Sequence, residues 1–587
     1  MRRLTTSIIL AVLAALTLSS IDSKACSNVL VTKGASTDGS NIISYAADSH
    51  QLYGELYFRK AGFWKPGDMR RVDEWDSGKH LGYIPEAAMT YQRVGNMNEH
   101  QLIIAETTYG GRPELEDPKG IMDYGSLIYI ALERAKTARE AIKVVVDLAN
   151  TYGYYSSGES FSIADTEEVW VMDLIGKGPD NKGIVWVARR VPDGYICAHA
   201  NQARISTFPL NDPENCMYAP DVITFAREKG YFDGEDKDFS FCDAYAPLDF
   251  SGMRACEARA WSAFNILCDG KFTFEDENGN IVTKDAYDYI DYAMGYDKTK
   301  RVPLFVKPSR KISVKDVADV MRDHYEGTPM DMTQDIGAGG NALPYRWRPM
   351  GFEYEGKKYI NERAIATQQT GFWFVGQSRG WLPDTIGGVN WFGCDDAATS
   401  YLTPIYTTTY DVPECFRVGN GDMITYSPTS AFWVTNRVAN ACYKAYDMMA
   451  PTVREAIDSW ENEMIAAVAK ADEEALKMYN EAGRKPRKQI KRNDKAQKVV
   501  DPYASVRNYL TEFSVGNAQK IFNKWVDLEV LLLVKYIDGN VKAQNEDGTF
   551  VTNEHTDCIP SGIKQPGYTA KWKEAVAKDH GEVIMEK

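Results

Sequence analysis

Beyond residue 25 the chain has no apolar run of 18 or more residues, so nothing there is long enough to cross a bilayer as a helix. It has no CxxC pair and no HExxH. Its seven histidines are scattered, with Cys197 and His199 the only close Cys/His pair. Zinc and dithiol chemistry therefore lack their ligand patterns. The acidic run Asp276–Asn280 (DENGN) is missing the 12-residue ligand pattern of an EF-hand. The glycines of residues 335–348 (DIGAGGNALPYRWR) follow no strand and open no helix, which argues against a phosphate loop. Positive charge is in short supply: 67 Lys and Arg stand against 82 Asp and Glu, a net charge of −15. Nonspecific nucleic-acid binding is not expected of such a chain. No internal repeat and no low-complexity segment is present. No cofactor and no metal is expected.

What the chain does have begins at its start. Arg2 and Arg3 precede an apolar run from Ile8 to Leu18, and Ser23 and Ala25 stand at the −3 and −1 positions of a cleavage site. Basic, then apolar, then small is the layout of a secretory signal peptide, here residues 1–25. Signal peptidase is then a maturation partner. The mature protein is expected to be secreted or periplasmic, with no membrane attachment after the cut. That cut makes Cys26 the first residue, carrying a thiol and a free α-amine together. A thiol is a weak nucleophile until a base takes its proton. An α-amine, with a pKa of roughly 7.7–8.0, is a base suited to neutral pH. Two other readings stand beside the nucleophile: the first structural cysteine of a secreted protein, and the acylated cysteine of a lipoprotein. The second fits less well, because Ser23 and Lys24 stand where such a site wants an aliphatic and a small residue.

Asn28 to Thr32 (NVLVT) reads as a strand and Asn41 to Ala46 (NIISYA) as its return, ending at Asp48. Between them Lys33 to Ser40 holds two glycines and an Asp-Gly pair, a turn signal. A loop centred near residues 36–37 sets Cys26 almost opposite Asp48. A turn at Asp38-Gly39 alone slips the pairing by about three residues, roughly 10 Å. In both registers a carboxylate lies near the amine, to hold it or orient the nucleophile, or simply to cap the strand end.

The run ACSNVLVTKGASTDGSNIISYAADS (25–49) resembles the start of the secreted C69-type dipeptidases. These are N-terminal-nucleophile hydrolases related to penicillin V acylases and bile salt hydrolases. Further stretches agree in order: GNMNEHQLIIAETTYGG (95–111), SSGESFSIADTEEVWVMDLIG (156–176), AHANQARI (198–205), CEARAWSAFN (256–265) and WLPDTIGGVNWFGCDDAATSYLTPIY (381–406). The resemblance implies an α+β fold with a four-layer αββα core, and Cys26 as nucleophile. It further implies that Asn201 is an oxyanion donor, the kind of group whose removal typically costs about 10²–10³ in rate. Arg259 matches the active-site arginine of the relatives, with Arg254 as its rival. Thr108, at a strand end, is a candidate for oxyanion or substrate contact. One departure stands out: many relatives carry Arg three residues before the Asp, where this chain has Tyr45.

Along the rest of the chain, Leu52–Trp75 reads as irregular structure near a substrate entrance, and Gln101–Ala105 as a core strand. Gly125–Arg134 and Ala138–Leu148 read as helices. Phe161–Ala164, Val169–Leu174, Ile184–Arg189 and Tyr195–His199 read as antiparallel strands. Residues 271–300 look like an insert. Val314–Tyr325 has helical periodicity, and Ile365–Gly376 and Trp391–Tyr410 look like strands. Val453–Tyr479 is helical, Arg484–Lys498 is a basic run read as a solvated helix end, and Ala504–Tyr536 suggests a final pair of helices. Val530–Val534 is expected to be a buried helix turn. Residues 26–430 are then a catalytic domain, and 431–587 a mainly helical region packing on it. The ten cysteines are too few for a disulfide scaffold in a chain of 587 residues.

The sequence thus predicts a secreted cysteine dipeptidase acting through Cys26, Asp48, Asn201 and Arg259, on dipeptides or short peptides and by way of a thioester. Hydrolysis of N-acyl amides, as in the acylase relatives, is the second reading. A non-catalytic lipid-anchored surface protein is the third. Assembly into a homo-oligomer stays open.

Overall fold

The computed structural model describes residues 26–347, 350–484 and 501–586. The leader and all but the first residue of the basic run 484–498 lie outside them. The fold is α+β, as expected. Among the described residues, fifteen strands build two large antiparallel sheets. In chain order these are β1 (Asn28–Val31), β2 (Asn41–Asp48), β3 (Phe58–Arg59), β4 (Arg93–Val94), β5 (Met97–Asn98), β6 (Ile103–Tyr109), β7 (Gly158–Ala164) and β8 (Val169–Gly176). There follow β9 (Ile184–Arg190), β10 (Ile196–His199), β11 (Cys216–Tyr218), β12 (Phe305–Val306), β13 (Thr370–Ser378), β14 (Gly388–Cys394) and β15 (Thr403–Tyr406). One sheet runs β12-β10-β1-β2-β13-β14-β15, the other β11-β9-β8-β7-β6-β5-β4-β3.

An antiparallel sheet with one wet face alternates buried and exposed positions. Here β2, β7, β8, β13 and β14 are buried at every position, so both faces of these strands are covered. The sheets meet through β1 and β2 against β6 and β7. Helices that pack on the sheets include α1 (Tyr124–Arg134), α2 (Ala138–Tyr152), α3 (Ala258–Leu267), α4 (Val314–Val320), α5 (Ala431–Cys442), α6 (Tyr446–Arg484) and α7 (Ala504–Lys535). Helices α1 and α2 pack on β6, β7 and β9. Helix α3 packs on β10, α4 on β2 and β13, and α5–α7 on β14 and β15. Helix α2 starts at a capping box in which Thr137 and Glu140 exchange side-chain and backbone bonds.

The β1–β2 hairpin settles the register. Leu30 faces Ile43, Val31 faces Ile42 and Ser27 bridges Ala46, which centres the reversal at residues 36–37. Cys26 therefore falls opposite Ala47, one residue from Asp48. Asp38 shapes the turn by accepting from the Ser40 N–H at 3.0 Å, and Gly39 takes the left-handed φ of 84° that the reversal requires.

Five expectations need correction. The helix foreseen over 314–325 ends at Val320, because the next residues are taken by other partners. Arg322 turns into a buried ion pair with Glu461 of α6, the Asp323 carbonyl accepts from the Ala366 N–H, and Tyr325 sits at a φ of 66°. The stretch Trp391–Tyr410 holds two strands, with a turn at Asp395–Ser400 between them. The final pair of helices is one 32-residue helix. It contains no proline, and Gly516, its only weak point, has open space around it. Within it Leu532 is buried, but Val530, Leu533 and Val534 are exposed; one face alone reaches the core. The Leu52–Trp75 stretch is not wholly irregular, since it carries β3 and two further short strands, Gly62–Phe63 and Met69–Asp73.

Candidate active site

The segment leading into β1, the end of β2, the middle of β6, the residue after the turn that follows β10, and the first turn of α3 converge at one end of the sheet pair. Cys26, two residues before β1, is 5% exposed. Its Sγ lies 3.3 Å from Glu106 Oε1 and 3.8 Å from Tyr45 Oη. Tyr45 also donates a short hydrogen bond to Glu106. Its ring is held edge-on between Phe372 and Phe374, with centroids 5.8 Å away in each case. The hydroxyl and the carboxylate thus occupy the space beside the thiol.

Arg259 ties the site together. It is 2% exposed. Nη1 donates to the Cys26 carbonyl at 2.6 Å and to Ser27 Oγ at 2.9 Å, Nη2 donates to Asn201 Oδ1 at 2.8 Å, and Nε to the Ala255 carbonyl at 2.8 Å. The Ala255 carbonyl belongs to a π-helical turn, Gly252–Glu257, that leads directly into α3. Such widened turns occur often at functional sites. Asn201 adopts a left-handed φ of 53°, and its Nδ2 donates to the Thr108 carbonyl at 2.6 Å. The amide is therefore fixed at both ends. Thr108 Oγ1 donates to Glu159 Oε2, its cross-strand neighbour, at 2.9 Å and reaches Glu106 Oε2 at 3.4 Å.

Asp48 stands at a register shift between β2 and β13, where Ala47 faces Phe372 and Asp48 faces Thr370. Irregularities of this kind re-aim a side chain. The carboxylate accepts from Arg363 Nη2 at 2.6 Å and Thr370 Oγ1 at 2.6 Å. Burial lifts it to about 6, against the pull of Arg363, Thr370 and Arg259. Burial also pushes the Cys26 thiol well above its ordinary value. The negative charges of Glu106 and Asp48 push it further, while the Asp48 backbone N–H and the Tyr45 hydroxyl work the other way. The thiol is therefore neutral and needs a base.

Of the residues singled out in the sequence, Cys26, Asp48, Thr108, Asn201 and Arg259 come together. Arg254 does not: it pairs with Glu362 and donates to the Met294 carbonyl at 3.0 Å. Glu106, Glu159 and Arg363 were missed. Glu106 had a signal, a carboxylate inside the apolar run IIAETTY; Arg363 lies in a loop and had none. His199 is no ligand. It bridges Thr107 Oγ1 and Ser162 Oγ, each at 2.7 Å, and burial holds it down to about 3. Among the described residues no group of three or more potential metal ligands occurs, and all ten cysteines are free thiols.

Comparison with known proteins gives a match to the model of peptidase family C69 over residues 65–459. Glu106, Thr108, Asn201, Arg259 and Arg363 lie inside this span, and Cys26, Tyr45 and Asp48 before it. The chain is similar to a probable dipeptidase of Latilactobacillus sakei, 25% identical over 476 residues, covering 77% of this chain and 89% of that protein. It is also similar to a probable dipeptidase of Salmonella dublin, 24% identical over 408 residues, covering 65% and 81%. Dipeptidase A of Lactobacillus helveticus is 22% identical over 480 residues, covering 77% and 88%.

Proposed function

The chain belongs to peptidase family C69, and on that premise we propose that this peptidase is a secreted or periplasmic cysteine dipeptidase whose nucleophile is Cys26. The observation that carries the reading is the Arg259 fork. It joins the Cys26 carbonyl to the Asn201 amide, so that the first residue after the leader and the oxyanion donor are held by one buried guanidinium. The two facing sheets with helices packed on each support a four-layer αββα N-terminal-nucleophile core, with residues 26–430 as its catalytic domain.

The mechanism follows from these groups. Signal peptidase removes residues 1–25 and frees the Cys26 α-amine. The amine takes the thiol proton, and the thiolate attacks the scissile carbonyl carbon. Asn201 donates to the oxyanion that forms. The amine passes its proton to the leaving nitrogen, the C–N bond breaks, and a thioester remains. Water then gives a proton to the amine and attacks the thioester carbonyl; the C–S bond breaks and the thiol is restored. Asp48, one residue from direct opposition to Cys26, orients the amine and is itself held by Arg363.

The test is dipeptide hydrolysis by the mature protein and by Cys26→Ala. Full loss of turnover in a variant that unfolds at the wild-type denaturant concentration is expected. Retained turnover overturns the assignment.

A further inference from the structure

Three of the five buried glutamates among the described residues, Glu133, Glu257 and Glu461, each hold an arginine: Arg93 at 2.8 Å, Arg204 at 3.0 Å and Arg322 at 2.5 Å. Glu106 is different. It is 0% exposed, yet among the described residues its only partners are neutral donors: the Tyr45 hydroxyl, the Cys26 thiol and the Thr108 hydroxyl. A buried carboxylate without a cation is costly, and a cation that arrives with a ligand relieves that cost. Its position says which cation. The carboxylate oxygen is 3.3 Å from the sulfur that attacks the scissile carbonyl. In a dipeptide the α-ammonium nitrogen lies two bonds from that carbonyl carbon, about 2.5 Å by standard geometry. With the carbonyl at an attack distance of about 3–3.5 Å and a charge-assisted N–H···O of about 2.8 Å, sulfur, carbonyl, ammonium and Glu106 close a ring of ordinary contacts. The Cys26 α-amine is a poorer match, because Asp48, one residue from direct opposition to Cys26, already serves it in the mechanism above.

We propose that Glu106 is a specificity residue that binds the free α-ammonium of the substrate, so that the site takes dipeptides with an unblocked amino terminus and rejects N-acylated ones. The inference rests on the cysteine dipeptidase reading above and narrows its substrate class. Tyr45 holds the carboxylate in place through its hydrogen bond to Oε1. Charge recognition by a buried partner discriminates strongly against an analogue that lacks the group, because the partner is left unpaired.

The experiment compares kcat/KM of the mature wild-type protein for alanyl-alanine, N-acetyl-alanyl-alanine and lactoyl-alanine, which carries a neutral hydroxyl in place of the ammonium. Glu106→Gln is then measured on the same three. The expected result is a preference of at least about 100-fold for the free dipeptide. In Glu106→Gln the preference falls by at least about tenfold, through loss on alanyl-alanine alone. Equal turnover of free and blocked substrates by the wild type overturns the inference and leaves the Cys26 chemistry standing; this comparison needs no variant to fold. A uniform loss on all substrates in Glu106→Gln also overturns it, since that result assigns the carboxylate to the enzyme's own amine. No turnover of any of the three by the wild type overturns the dipeptidase reading and this inference with it.

Discussion

Replacing Arg259 by Lys keeps the charge and removes the fork. The guanidinium now reaches the Cys26 carbonyl, Ser27 Oγ, Asn201 Oδ1 and the Ala255 carbonyl. An ammonium places its donors at one point and cannot span acceptors on three chain segments. At least two of the four bonds are left unmade in a position that is 2% exposed. Hydrogen bonds to charged groups contribute about 1.5–3 kcal/mol each, so a loss of about 3–5 kcal/mol in folding stability is expected. The activity loss has a separate source. Asn201 keeps its bond to the Thr108 carbonyl but loses the anchor on its oxygen, and the amide rotates away from the oxyanion. The rate should fall toward the 10²–10³-fold cost of deleting such a donor. Urea denaturation gives the first number. Steady-state dipeptide hydrolysis, well below the variant's unfolding midpoint, gives the second. A double-mutant cycle with Asn201→Ala should show the two changes to be far from additive. A variant with wild-type kcat, or one whose loss simply adds to that of Asn201→Ala, would refute the reasoning.

Asp48 makes a pH prediction. Its folded-state value of about 6 lies above the ordinary carboxylate value, so the folded protein holds a proton that the unfolded chain has lost. The stability from this group is fully present below about pH 4 and is lost between about pH 4 and 6, on the order of 3 kcal/mol. Urea denaturation across that window should show the wild type losing stability relative to Asp48→Asn by about this amount; parallel curves would contradict it. Activity should rise through about pH 6 as the carboxylate ionises, and this limb should vanish in Asp48→Asn. Tyr45→Phe removes a hydrogen bond that favours the thiolate, so the pH midpoint for alkylation of Cys26 by iodoacetamide should move upward; an unchanged midpoint would show that the hydroxyl does not act on the thiol. Arg254→Ala should stay within about threefold of wild-type kcat, because Arg254 is tied to Glu362 and Met294 and touches no group of the site. A loss comparable to that of Arg259→Lys would reopen its claim.

The sequence made the strands of both sheets legible where β-branched and apolar residues run between turn signals, as in NVLV and VWVMDLIG. It also offered the correct hairpin register as one of two, and only the pairing of Leu30 with Ile43 chose between them. Local periodicity failed where long-range partners decide the backbone. Arg322 and Asp323 are claimed by Glu461 and Ala366, and α4 stops short of them. The candidate site was legible in so far as its residues stand at marked places: Cys26 after a cleavage signal, Asn201 at a strand end. Arg363 reaches Asp48 across 315 positions from a loop with no periodicity, and such a pairing leaves no local trace. Glu106 was visible as a carboxylate in an apolar strand, but its meaning depends on having Cys26 beside it, which only the packing of the two sheets supplies.

The central claim is that Cys26 acts as a free N-terminal nucleophile. N-terminal sequencing combined with intact mass, on protein purified for dipeptidase activity, tests it most directly. The account predicts a chain that starts at Cys26 with an unmodified α-amine. Full activity in protein that starts elsewhere, or whose Cys26 amine is acylated, would contradict it.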